Sequence, residues 1–301
     1  MKRIGNVLLF GGNGQLGQEL LTTLGPLTKV TAATRTGRLR DGSSCELADF
    51  QQPATLTALL ERVSPDWVVN AAAYTDVDGA EDEREQAWCA NVDAPAVIAR
   101  WCAASAVPML HYSSDYVFDG QGTRPYLETD ATAPLGVYGA SKLAGEDAIR
   151  AAGGRHLIFR TAWVYASHST NFLRTMLRVG AGRDVLKVVA DQVGTPTPAA
   201  LIAKMSARVM QHSDDISGTW HLTTQGHTSW HGFAEAIFAA AVERGILATA
   251  PTVEAITTAE YPSKAKRPAY SRLDCSKFEA DFGIALPSWQ DGLATVMAQI
   301  R

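Results

Sequence analysis

The stretch Asn6-Val7-Leu8-Leu9-Phe10-Gly11-Gly12-Asn13-Gly14-Gln15-Leu16-Gly17 decides the fold. Its first half, NVLLF, is a short uncharged run that reads as a buried strand. Its last residues open a helix expected over Gln15–Leu24. Glycines at 11, 14 and 17 give GxxGxxG between the two. Gly11 permits a tight turn, Gly14 lets the backbone approach a pyrophosphate, and Gly17 lets the helix pack close to the sheet. The helix N-terminus then offers free N–H groups and a partial positive charge to phosphate. An ordinary glycine-rich turn is the alternative, and the strand–loop–helix setting favours dinucleotide binding.

Outward from this stretch, short apolar runs alternate with longer amphipathic ones. Strands are expected at Lys29–Thr34, from Asp66 into Asn70-Ala71-Ala72-Ala73, at Pro108–Ser114 and at His156–Arg160. Helices are expected at Pro53–Val63, Gln86–Ser105 and Tyr138–Ala151. Near-continuous apolar strands separated by helices imply a parallel sheet covered on both faces, the Rossmann-type doubly wound α/β class. The second half is less regular. Helices are expected at Phe172–Val179, Ala199–Met210 and Trp230–Arg244, strands at Leu186–Val189 and Trp220–Thr223, and a loop-like region from Thr252 to Arg272. The division expected is a dinucleotide-binding domain over 1–165 and a smaller, mainly substrate-binding α/β domain over 166–301, with some later segments returning to the first.

NAD sites usually carry an acid about 20 residues past the glycines, for the ribose hydroxyls. Here that zone reads Ala32-Ala33-Thr34-Arg35-Thr36, with no acid. Arg35 either faces a 2′-phosphate, which would favour NADPH over NADH, or is a solvated surface arginine. With 301 residues, 46% of them hydrophobic and 19% charged, a substantial core is expected and wholesale disorder is not. The net charge of −4 and the lack of a Lys/Arg-rich run argue against a nucleic-acid partner. Cys45, Cys89, Cys102 and Cys275 form no CxxC pair, so free thiols in a reducing compartment are expected. The apolar run Val7–Phe10 is too short for a signal segment or a membrane span, and a soluble cytoplasmic protein is expected.

Val137-Tyr138-Gly139-Ala140-Ser141-Lys142 places a tyrosine and a lysine four residues apart, on one helix face. A tyrosine with its ordinary pKa of ~10 is a poor acid–base catalyst at neutral pH, and a nearby ammonium favours its phenolate. Ser113-Ser114 ends a strand at the carboxyl edge where α/β sheets build their sites. A hydroxyl there can hold a substrate carbonyl beside the phenol. YxxxK alone is a weak signal. The order of glycine loop, NAAA, strand-end serine and YxxxK is much more specific.

On these motifs the chain resembles the extended short-chain dehydrogenase/reductases and, within them, the dTDP-4-dehydrorhamnose reductases. The resemblance continues through NAAAYTDVDGAE (Asn70–Glu81), HYSSDYVFDG (His111–Gly120), ETDATAPLGVYGASKLAGE (Glu128–Glu146), FRTAWVYA (Phe159–Ala166), NFLRTML (Asn171–Leu177), DQVGTPT (Asp191–Thr197) and RPAYSRLD (Arg267–Asp274). It implies Ser114, Tyr138 and Lys142 as catalytic residues. It implies that Asn13, Gln15 and Leu16 join the three glycines at the cofactor, with Asp49 and Phe50 at the adenine and Ala71, Ala72 and Ala73 leaving it room. It implies that Asp115 shapes the sugar pocket, that Trp163 packs on the sugar and that Arg267 approaches the nucleotide part. The implied reaction is hydride transfer from nicotinamide C4 to the keto carbon of dTDP-6-deoxy-L-lyxo-4-hexulose, giving dTDP-L-rhamnose. In it Tyr138 donates the proton, Ser114 holds the oxygen, and Lys142 lowers the phenol pKa and fixes the ribose.

The expected cofactor is NADPH, with NADH as the other option. Some members of the family are described as using magnesium at a subunit interface. Glu19 matches one acidic position there, but Ala199-Ala200 follow DQVGTPT where an acid would be needed, so no metal is expected. A homodimer is one option for the assembly. An epimerase or dehydratase of the same fold, and a dinucleotide-binding regulatory subunit, are the competing readings. His227 and His231 lack the acid of an HExxH motif and read as surface histidines at a helix start. Trp88, Trp101, Trp220 and Trp289 read as core or interface, and Glu81–Glu85 as an exposed acidic helix start.

Overall fold

A computed structural model of the chain describes residues 4–212 and 216–300. The first half runs β1 (Val7–Phe10), α1 (Gln15–Leu24), β2 (Val30–Thr34), β3 (Glu46–Leu47), α2 (Leu56–Val63), β4 (Trp67–Asn70), α3 (Gly79–Asp82), α4 (Arg84–Trp88), α5 (Ala94–Ala104), β5 (Met109–Ser114), α6 (Val137–Ala151) and β6 (His156–Thr161). The second half runs β7 (Val164–Tyr165), α7 (Phe172–Gly180), β8 (Val185–Val189), β9 (Val193–Gly194), β10 (Thr197–Pro198), α8 (Ala199–His212), β11 (Gly218–His221), β12 (Thr228–Ser229), α9 (Trp230–Glu243), β13 (Thr252–Ile256), α10 (Ser276–Phe282) and α11 (Trp289–Met297).

Seven strands form one sheet in the order β11-β6-β5-β4-β1-β2-β3, and every pairing in it is parallel. This is the doubly wound sheet that the apolar strand pattern implied. All four residues of β1 are fully buried, and alternation along the strand divides them between two layers. Val7 and Leu9 join a core with Leu20 and Leu24 of α1 and Ile202 of α8. Leu8 and Phe10 join another with Leu59 of α2 and Ile98 of α5. Each such leucine contributes about 1.5–3 kcal/mol by leaving water. The strand order turns between β1 and β4, so the connections leaving their carboxyl ends run to opposite faces of the sheet and leave a crevice.

The later segments do not stay apart. The strand β11 extends the sheet beside β6, and α8 packs on α1. A third core, built on Tyr165, Phe233, Phe238, Trp289 and Leu293, gathers α9 and α11 around short two-stranded pairs. The region from Thr252 to Arg272, expected as loop, contains β13, which pairs in parallel with β8 over five residues. Its alternation was masked because the strand is mostly exposed, so no apolar run marks it. The helix expected over Gln86–Ser105 is a helical run with one π turn at Cys89–Asp93. Among the described residues no helix is long and apolar enough to cross a membrane.

Candidate active site

The crevice is a cleft of about 1250 Å³ that runs from the glycine loop to Trp163. At its cofactor end, Gly11 has φ +83°, and a Cβ there would lie 2.6 Å from the backbone N of Ala72. A Cβ on Gly17 would lie 2.1 Å from the carbonyl oxygen of Gly11, so only glycine lets α1 close on the loop. Gly11, Asn13, Gly14, Gln15, Leu16, Arg35, Asp49, Phe50, Ala71, Ala72 and Ala73 all line the cleft, while Gly17 packs beneath it. The Asn13 amide is already engaged: its Nδ2 donates to the carbonyl of Arg38 at 2.9 Å, which pins the turn after β2 to the glycine loop. That turn also brings Arg40 to the wall, beside Arg35, Thr34 and Thr36. The bare helix start, the side-chain-free floor and the two arginines suit a dinucleotide with its phosphates.

Ser114, Tyr138 and Lys142 meet midway along the cleft. The Tyr138 phenol and the Ser114 hydroxyl share one stretch of its wall. Ser114 Oγ donates to Asp115 Oδ1 at 2.9 Å and accepts from the backbone N of Tyr116 at 3.2 Å. The Tyr138 ring meets Tyr116 edge-on, with centroids 5.6 Å apart. Lys142, one helical turn on, is buried and donates from Nζ to the carbonyl of Tyr112 at 2.7 Å.

The electrostatics depart from the expectation that Lys142 lowers the tyrosine pKa. Loss of solvation at the cleft wall dominates and pushes the Tyr138 phenol up to about 12, opposed by the neighbouring Ser114 hydroxyl. Burial pulls Lys142 down to about 8, opposed by the Glu146 carboxylate. Burial also raises Asp115 to about 6, against the nearby Ser271 hydroxyl and the hydrogen bond from Ser114. The phenol is therefore a protonated donor at neutral pH and the lysine a cation only up to about pH 8.

At the far end, Trp163 lines the cleft with φ +46°. Its indole lies parallel to that of Trp230, with centroids 3.6 Å apart and planes 6° from parallel. Gly194 also lies against the ring, where a Cβ would come within 2.5 Å of it. Arg267 also reaches the cleft, but its guanidinium is forked onto Asp78, at 2.7 and 3.2 Å. Asp78 is held low by this pairing.

Sequence reasoning passed over several residues that shape the site. Asn91, on the π turn, is buried and uses both amide atoms: Oδ1 accepts from Tyr74 N, and Nδ2 donates to the Tyr74 carbonyl and to Ser141 Oγ at 3.0 Å. Asn70 Oδ1 accepts from Ala72 N at 3.1 Å and so shapes the small-residue floor, while its Nδ2 meets the buried His111 ring. Trp230, read only as a helix start, is half of the aromatic pair. Trp220 and Trp289 are buried, as a core reading required. His231 is half-buried, not a surface residue, and lies 3.0 Å from the Val253 carbonyl. Glu19 pairs with His168, 2.8 Å away, and among the described residues no cluster of three or more His, Cys, Asp and Glu is arranged to hold a metal.

Comparison with known proteins supplies the family. The model described as the RmlD substrate binding domain matches residues 5–301. A dTDP-4-dehydrorhamnose reductase of Shigella flexneri is 42% identical over 298 residues, covering 98% of each chain. One of Burkholderia thailandensis is 43% identical, covering 94% of this chain and 95% of its own. Among solved structures, the dTDP-4-dehydrorhamnose reductase of Bacillus anthracis in complex with NADP superposes with a TM-score of 0.89 at 31% identity, covering 99% of this chain and all of its own. The fold is also that of the Bordetella bronchiseptica enzyme WbmG in complex with NAD and UDP, at a TM-score of 0.80 and 19% identity. With a family model spanning nearly the whole chain and relatives above 40% identity over nearly all of their length, the chain belongs to the RmlD family, the dTDP-4-dehydrorhamnose reductases.

Proposed function

We propose that this chain reduces dTDP-6-deoxy-L-lyxo-4-hexulose to dTDP-L-rhamnose with a nicotinamide dinucleotide, as a cytoplasmic oxidoreductase. The observation that carries the reading is the meeting of Ser114, Tyr138 and Lys142 on the wall of a cleft that continues to the glycine loop on one side and to Trp163 on the other. A bound dinucleotide supplies the hydride. Tyr138 gives its proton to the oxygen that becomes the new hydroxyl. Ser114 orients that oxygen, and Asp115 orients Ser114 by accepting a hydrogen bond from its hydroxyl. Lys142 holds the ribose and provides positive charge beside the phenol as it ionises. Trp163 packs against the deoxysugar, and Arg267 faces the diphosphate.

The cofactor end favours NADPH. Arg35 and Arg40 flank the place beyond β2 where an acid would otherwise take the ribose hydroxyls, and they offer a 2′-phosphate two guanidinium groups. The dinucleotide-binding unit comprises 1–165 with α8 and β11 returned to it.

The test is a coupled assay. The hexulose is made enzymatically from dTDP-glucose, and loss of NADPH and of NADH is followed separately. Oxidation with formation of dTDP-L-rhamnose, faster with NADPH, is the expected result. No oxidation by protein shown to bind the cofactor would overturn the reading in favour of another sugar nucleotide or a regulatory subunit. Dinucleotide that stays with the purified protein would favour an epimerase, which must return the hydride to its product.

A further inference from the structure

The run Glu81–Glu85 reads in sequence as an exposed acidic face, yet its first member is half-buried against the helix that carries Tyr138. The helix α6 begins at Gly136, which has no side chain to cap it, and its first turn contains no acid. Such an end leaves backbone N–H groups without partners. Glu81 supplies one from a different element: its Oε1 accepts from the backbone N of Val137 at 2.8 Å. Gly136 makes the room, because a Cβ there would lie 2.6 Å from the same carboxylate oxygen. Val137 is the residue before Tyr138, so the anchored N–H is one peptide from the phenol-bearing residue.

The bracket from which Glu81 reaches is itself held. Asp78, at the start of α3, takes the fork of Arg267 and accepts from the backbone N of Ala265 at 3.0 Å. Asp82, at its end, is paired with Lys264. Gly79 N donates to Asp76 Oδ1 at 2.9 Å, and Tyr74 donates to Glu83 at 2.9 Å. Four residues of helix would not stay formed alone. These ties fix α3, and with it the position of the Glu81 carboxylate.

We propose that Glu81 is a positioning residue for the reaction, capping α6 from outside and thereby setting where the Tyr138 hydroxyl stands against Ser114. The inference rests on the reductase reading above. A misplaced proton donor slows the chemical step without changing how the cofactor binds.

The test compares Glu81→Ala, which removes the acceptor, with Glu81→Gln, which keeps an oxygen in place. Wild type is assayed alongside for hexulose reduction. Glu81→Ala is expected to lower kcat about tenfold, with KM for the hexulose and Kd for NADPH by fluorescence each within about twofold. Glu81→Gln is expected to recover to within about threefold of wild type, because the amide oxygen still accepts. Ultraviolet difference titration against Tyr138→Phe gives a readout independent of turnover. Ionisation of the phenol should move down towards its ordinary range in Glu81→Ala, as the loosened helix end admits water. An inactive wild type would sink the reductase reading, and the titration would then decide the positioning role alone. Unchanged kcat and titration in Glu81→Ala would overturn the inference, as would Glu81→Gln falling as far as alanine.

Discussion

At the glycine-loop end of the cleft the surface offered to a ligand is largely backbone; at the Trp163 end it is side chains brought from distant segments. Gly11, Gly14 and Gly17 fall within seven residues, and the first and last leave no room for a Cβ. Trp163, Trp230, Gly194, Arg267 and Asp78 come from five separate places in the chain and meet only through the fold. A backbone site is specified locally, and at Gly11 and Gly17 it tolerates no added atom. A side-chain site is specified globally, and its contributions are graded. The two ends should therefore fail differently when changed.

The largest effect is expected where the ends meet. Tyr138→Phe should cut turnover by about 10²–10⁴-fold while the Kd for NADPH stays within about twofold, because only the proton is lost. Wild-type turnover in that variant would remove the residue from the mechanism. Next comes Gly17→Ala. Its Cβ would stand 2.1 Å from the Gly11 carbonyl, so the loop must shift, and dinucleotide affinity should fall by more than about tenfold. Binding of dTDP, measured by calorimetry, should survive in the same variant. Loss of both would mean that the ends are not separable.

Trp230→Ala should act in a graded way. A stacked aromatic pair is worth about 0.5–1.5 kcal/mol beyond its buried area, which corresponds to a rise of about two- to twelvefold in KM for the hexulose. Trp230→Phe should recover part of it, and Kd for NADPH should not move. The smallest effect is a matter of pH. Lys142, a base lowered from 10.5 to about 8 by burial, loses its charge as pH rises through that value, whereas Tyr138 keeps its proton to about 12. Turnover should accordingly decline above about pH 8, and Lys142→Arg should push that limb towards higher pH. An alkaline limb unmoved in Lys142→Arg would assign it elsewhere.

The same contrast explains how far the sequence could be read. The sheet was legible because its strands are buried on both faces and read as unbroken apolar runs, as in Val7–Phe10 and Met109–Ser114. The strand β13 was not, since an exposed strand paired to one neighbour carries no apolar signature. Ser114, Tyr138, Lys142 and the glycine loop lie in short contiguous motifs, so their residue types and spacing could be recognised. Arg40 reaches the cleft by a turn whose course depends on the Asn13 amide, and spacing does not reveal it. Asn91 owes its two-sided grip to a π turn, which shifts the helix face by one residue against a regular 3.6 period. Loss of solvation at Tyr138 and burial of Lys142 shift their proton affinities, and no motif reports either. That is why the direction of the Tyr138 shift was the opposite of the one the neighbouring lysine suggested.

The return of α8 and β11 to the first sheet has a consequence for how the chain is made. Synthesis delivers residues 1–165 first, with β6 at a bare sheet edge and the apolar face of α1 without its cover. An unpaired parallel edge and an uncovered helix face are the features that drive nascent chains to associate. The protein closes that edge only when residue 221 has left the ribosome, after α7 and the short strands of the other half have already appeared. Its two halves thus cannot mature in turn, one finished before the next begins. A fragment cut at 165 should expose just the surfaces that the later segments exist to hide, and it should be the intact chain, rather than either half, that a cell can accumulate.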